Sequence, residues 1–125
     1  FPHPSIPGVF KGKMIAGDPH LDTALHSLKA FLALEDITED NGPFISLKGS
    51  GFSKDLIPNY VGMLSSKNNA HLINEDQIKK INLKNKKKYY KGIVNQGDLV
   101  LIDTRNIHYA SSLQKGSRKV LWYYY

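Results

Sequence analysis

Gly97-Asp98-Leu99-Val100-Leu101-Ile102-Asp103-Thr104-Arg105-Asn106-Ile107-His108 carries the firmest β signal in the chain. Leu99 to Ile102 is an apolar run of buried-strand length, entered from an Asn95-Gln96-Gly97-Asp98 turn. A second short strand is expected at Ile107 to Ser111, which places His108 just past a strand end.

The same pattern extends outward. Tyr89 to Val94 reads as a strand before the turn, and Val120 to Tyr125, rich in aromatics, as one after Lys115-Gly116-Ser117. Asp40-Asn41-Gly42-Pro43 is a strong turn signal, followed by a short strand from Phe44 to Leu47 that closes at Gly49-Ser50-Gly51. His26 to Ile37 is open between two readings: alternation suits a strand with two covered faces, whereas the Ala, Leu, Lys and Glu content suits a helix. Val9 to Ala16 reads as a strand, preceded by an extended arm with Pro2, Pro4 and Pro7. Phe52 to Lys91 is the least strand-like part. Asn59 to Asn69 reads as loop or irregular helix, and Asn74 as the N-cap of a short helix with Ile78 and Ile81 on one face. Lys84 to Lys88 reads as a solvated charge run. Several short strands with regular turn signals make a barrel or sandwich.

Near the start stands Pro19-His20-Leu21-Asp22. In an extended backbone residues i and i+2 share a side, so His20 and Asp22 can face one ion while Leu21 turns into the wall. His108 lies 86 residues beyond Asp22, so only a folded sheet brings it near. Two imidazoles and one carboxylate are the ligand set of a mononuclear non-haem iron site. Arg118, ten residues past His108, is expected on the next strand of a hairpin turning at Gly116, where its fork suits a carboxylate.

Composition narrows the classes. The chain has 125 residues, enough for one domain with one core. Its start at Phe1 and its finish inside a strand read as the ends of a truncated domain. There are no cysteines, which excludes disulfides, thiolate metal sites and cysteine nucleophiles. The net charge of +6 comes almost wholly from lysine, with only Arg105 and Arg118 as arginines. Readers of nucleic acid favour arginine for bidentate contacts, so the lysines read as solvated surface and no nucleic-acid partner is expected. No apolar run approaches a membrane span, and no signal peptide is visible, so a cytoplasmic location is expected.

Together Pro19-His20-Leu21-Asp22, the stretch Leu28 to Phe44 with its acidic turn at Asn41-Gly42, Lys48-Gly49-Ser50, and Gly97-Asp98…Asp103-Thr104…His108…Arg118 resemble the phytanoyl-CoA dioxygenase family. The resemblance runs from Pro19 to Tyr125. It implies an all-β double-stranded β-helix, a cupin-like jelly roll with a short helix and loop insertion, and makes His26 to Ile37 a strand. By position, it implies that His20, Asp22 and His108 bind Fe(II), that Arg118 holds the far carboxylate of 2-oxoglutarate, and that Phe31 lines the cosubstrate pocket. Family members use O2 to hydroxylate a small organic substrate while 2-oxoglutarate becomes succinate and CO2. Related halogenases have a small residue in place of the carboxylate, so Asp22 points to hydroxylation. The chain departs from the family at Gly51, where its P-G-S-H motif has histidine, and at Lys48, where it has proline. The family's N-terminal helical region is also missing from this chain.

Two other readings stay open. A cupin-like metal enzyme would keep the three ligands but give Arg118 no cosubstrate. A metal-free basic barrel would bind polyanions through Lys79 to Lys91, with Tyr89 and Tyr90 as stacking platforms. The substrate and oligomeric state are not legible. The segment Gly51 to Lys88 is the expected specificity loop.

Overall fold

A computed structural model describes residues 18–24, 28–85 and 89–124. The arm at Phe1 to Gly8, the strand expected at Val9 to Ala16, the start of the His26 stretch, Lys86 to Lys88 and Tyr125 lie outside the described residues.

Most of the structure is β. Six strands appear in the order β1 (Leu28–Ala33), β2 (Phe44–Leu47), β3 (Tyr89–Lys91), β4 (Leu99–Asp103), β5 (His108–Ala110) and β6 (Val120–Tyr124). They form two three-stranded antiparallel sheets, ordered β4-β1-β6 and β3-β2-β5. The ambiguous stretch after His26 is therefore a strand, and a central one. Leu28, Ala30 and Leu32 take one face while Lys29, Phe31 and Ala33 take the other.

Between β2 and β3 lie two single 3-10 turns, Ser50–Phe52 and Lys54–Leu56, then α1 (Ile57–Leu64) and α2 (Glu75–Asn85). Pro58 sits in the first turn of α1, where its missing N–H costs nothing. α1 thus occupies part of the segment expected as loop or irregular helix. α2 begins as expected, with a reciprocal cap: Gln77 N–H donates to Asn74 Oδ1 at 2.8 Å, and Asn74 N–H donates to Gln77 Oε1 at 3.2 Å. Lys84 belongs to this helix. Among the described residues no helix is long and apolar enough to cross a membrane.

Strand alternation divides the core in two. One face of β3-β2-β5 joins Leu47 and Ile107 to Leu21, Leu56, Ile73 and Ile81, roofed by Tyr60, Met63 and Ile78 of the helices. The other sheet contributes Phe31, Ala33 and Ile102, which pack with Ile37, Phe44, Val100 and Trp122. Phe44 reaches this second cluster from β2, so the cluster fills the space between the sheets.

β4 corrects one expectation. Its apolar run is not buried on both sides: Val100 and Ile102 point inward, but Leu99 and Leu101 are 58% and 64% exposed. Leu28, Leu121 and Tyr123 on the same outer face of β4-β1-β6 are also exposed, so much of that face meets solvent. The two faces should respond differently to truncation. Leu56→Ala, in a fully buried position, should cost about 2–5 kcal/mol, whereas Leu101→Ala should cost less than about 1 kcal/mol. Urea denaturation of the two variants measures both.

Candidate metal centre

The first link is made by the backbone. His20 N–H donates to His108 O and His108 N–H donates to His20 O, both at 3.1 Å. The two histidines are thus a hydrogen-bonded antiparallel pair, and such pairs carry their side chains on the same face. On its other side the Pro19–Leu21 segment is held by residues 71–73: Leu21 N–H donates to His71 O at 2.8 Å and Ile73 N–H to Pro19 O at 3.0 Å. Held on both edges, the segment stays extended. Asp22 then shares the face of His20, and Leu21 turns into the helical core, as the spacing predicts.

The ligand atoms converge. One from each of His20, Asp22 and His108 lies within 4.8 Å of the others, an arrangement that could hold a metal ion. Asp22 Oδ1 is 3.2 Å from His108 Nε2 and 3.5 Å from His20 Nε2. Two ligands about 2.1 Å from one ion and a right angle apart stand about 3.0 Å from each other, so these separations need little adjustment.

Both rings are set for ligation. His20 Nδ1 is 2.6 Å from Asp18 O, and His108 Nδ1 is 2.8 Å from Asn106 O. A carbonyl only accepts, so each Nδ1 carries the hydrogen, and a neutral ring turns its Nε2 lone pair toward Asp22. Two lone pairs and a carboxylate oxygen then confront one another, and only a proton or a cation between them relieves the repulsion. The titration directions agree. Burial opposes a charged His20, but the Asp22 carboxylate and the Asp18 carbonyl outweigh it and raise the ring's pKa. Burial likewise opposes ionised Asp22, but hydrogen bonding from His108, His20 and Lys29 holds its carboxyl well below the usual range.

Other candidates are placed as follows. Phe31 is a buried core aromatic, edge-on to Trp122 at 5.3 Å between ring centres and to Phe44 at 6.3 Å. Phe44 in turn lies 5.5 Å from the His108 ring. Arg118 does not sit on a hairpin with His108, because β5 and β6 belong to different sheets and the chain crosses between them. Its guanidinium donates instead to the Gly42 carbonyl, and burial lowers its pKa. A cavity of about 530 Å³ is lined by Phe44 and Ser46 on β2, Lys48, Tyr90, and Val100 and Ile102 on β4; His20, Asp22 and His108 are not among its lining residues, although Phe44 also lies near the His108 ring.

Ser50 is a supporting residue that the sequence did not single out. Fully buried, it donates to Leu47 O and accepts Ile107 N–H, both at 2.7 Å. Asn106 Oδ1 accepts Gly51 N–H at 3.0 Å beside it. These bonds fix the chain on the residues just before His108. Gly51 has no room for a side chain: a Cβ there would stand 3.1 Å from Arg105 backbone atoms. No protein-family model matches the chain, and no curated protein matches it.

Ser50→Ala leaves the Ile107 N–H buried and unpaired, and should cost about 1–3 kcal/mol by urea denaturation while weakening metal binding in calorimetry. The folded Asp22 pKa lies below its unfolded value. Its contribution to stability is therefore complete above about pH 4 and is withdrawn as the pH falls below that. Asp22→Asn should flatten the acid limb of the metal-free protein's stability curve, measured on either side of about pH 4.

Proposed function

We propose that this chain is the core of an Fe(II)- and 2-oxoglutarate-dependent oxygenase that hydroxylates a small organic substrate on a double-stranded β-helix. The observation that carries the reading is the convergence of His20 Nε2, His108 Nε2 and Asp22 Oδ1 from positions 86 residues apart. Two histidines and one carboxylate on one side of an ion are the facial set of non-haem iron oxygenases. The strand distribution supports the fold: β1, β4 and β6 fall in one sheet and β2, β3 and β5 in the other, so the chain passes repeatedly between facing sheets as a β-helix requires.

His20, Asp22 and His108 would hold the iron. With 2-oxoglutarate and O2, the iron supplies the oxidising chemistry that places one oxygen atom in a substrate C–H bond and the other in succinate, with release of CO2. The residues around it have separable tasks. The Asp18 and Asn106 carbonyls fix the histidine tautomers, so the rings meet an ion without rearrangement. Phe44 presents an apolar ring beside His108 and is backed by Phe31. Arg118 is a half-buried cation, and among the described residues no carboxylate pairs with it. It would receive the far carboxylate of the cosubstrate, whose charge would offset its burial. The cavity whose wall includes Phe44 would give a small substrate room. Asp22 would fill a coordination position as an intact carboxylate, which favours hydroxylation.

Anaerobic titration with Fe(II) and 2-oxoglutarate tests the reading through the weak visible charge-transfer band of the chelate. The band should form with the wild-type chain and vanish in His108→Ala. Iron affinity in that variant should fall by more than the about 10–100-fold that loss of a supporting partner costs. A band unchanged in His20→Ala, Asp22→Ala and His108→Ala would reject the site. Iron uptake with no chelate band on addition of 2-oxoglutarate would instead favour a cupin-like enzyme that uses no cosubstrate.

A further inference from the structure

Lys29 is out of place by ordinary rules. It stands on the inward face of β1 beside Phe31 and Ala33, where a long cation loses hydration. β1 is the middle strand of its sheet, and Lys29 is registered against Ile102 on one side and Tyr124 on the other. Its backbone is therefore among the most fixed in the molecule. The side chain crosses the space between the sheets, and its Nζ lies 2.5 Å from Asp22 Oδ2.

That contact divides the labour of the carboxylate. Oδ1 faces the two imidazole Nε2 atoms at 3.2 and 3.5 Å, while Oδ2 is taken by the ammonium. A carboxylate can bind a cation through one oxygen or chelate it through both. Chelation here would swing Oδ2 away from Lys29 and forfeit a charge-assisted hydrogen bond in a partly buried place. We propose that Lys29 is a positioning residue that confines Asp22 to one-oxygen ligation. A six-coordinate ion so held would keep three positions open, room for a chelating cosubstrate and a further small ligand. Chelation by Asp22 would leave only two. The inference rests on the metal-centre reading above and adds the mode of ligation.

Lys29 also sets the charge. Two neutral imidazoles, one carboxylate and one ammonium sum to zero, so a divalent ion leaves the centre doubly positive. A dianionic chelator is favoured by that balance, and the preference weakens if Lys29 becomes neutral.

The test uses Zn(II) alone as probe, then oxalate as a two-oxygen chelator. Infrared difference spectra of ¹³C-aspartate-labelled protein, with metal minus without, read the separation of the two carboxylate stretches. The separation is wide for one-oxygen binding and narrow for chelation. The wild type should give the wide pattern, Lys29→Met the narrow one, and Lys29→Arg should restore the wide one. The affinity of the Zn(II)-loaded protein for oxalate should fall about 10–100-fold in Lys29→Met and recover in Lys29→Arg. An identical splitting and oxalate affinity in Lys29→Met would overturn the role of Lys29 while leaving the metal centre standing. A wild-type chain that binds neither Zn(II) nor Fe(II) would remove both.

Discussion

Two backbone hydrogen bonds between His20 and His108 govern the rest of the structure. A pair of N–H to O contacts at 3.1 Å joins the start of the described chain to its far end. Everything at the candidate centre follows from that pairing and strand geometry. The imidazoles share a face because directly opposed residues do; Asp22 joins them because it is two residues on; and Leu21 and Ile107 turn the other way into the helical core. A one-residue slip would exchange the metal-binding face for the apolar one. The apolar cluster beneath the helices therefore enforces the register that the ligands need.

The parts that were legible in the sequence were those with a local signature. Turn residues at Asp40-Asn41-Gly42-Pro43 and Asn95-Gln96-Gly97-Asp98 marked the strands that follow them, at Phe44 and Leu99, whereas the strands before them end early, at Ala33 and Lys91 in place of Ile37 and Val94. Inside these turns Gly42 and Gly97 take φ of 75° and 89°, which few other residues adopt. The Asn74 cap was also visible, since a side chain makes it. What was not legible depended on partners far along the chain. The carbonyls of Asp18 and Asn106 that fix the histidine tautomers belong to the backbone, and no residue type announces them. Lys29 appeared only as one member of an alternating run, because nothing local says that Asp22 lies opposite it. The misjudged place of Arg118 has the same origin: ten residues are enough either for a hairpin or for a crossing between sheets, and spacing alone does not decide. Leu99 and Leu101 show a related limit, for an apolar run reads as buried whether or not the chain covers both its faces.

Charge at the centre is balanced before any ion arrives. Asp22 is the one acid among two histidines and a lysine, and it is held ionised against burial by all three. A metal held by a site arranged in this way would enter by exchange, with any proton between the rings leaving. The ligands move little, since Lys29 and the two backbone carbonyls already hold them.

The 86-residue separation of Asp22 and His108 also has a consequence in time. A ribosome adding about 5–20 residues per second releases His108 roughly 4–17 s after Asp22. Until then His20 and Asp22 have no opposing strand, and Leu21 has no completed wall to enter. The centre is therefore among the last features of the described chain to form during synthesis. A metal ion could meet all three side chains only once His108 has joined the other two.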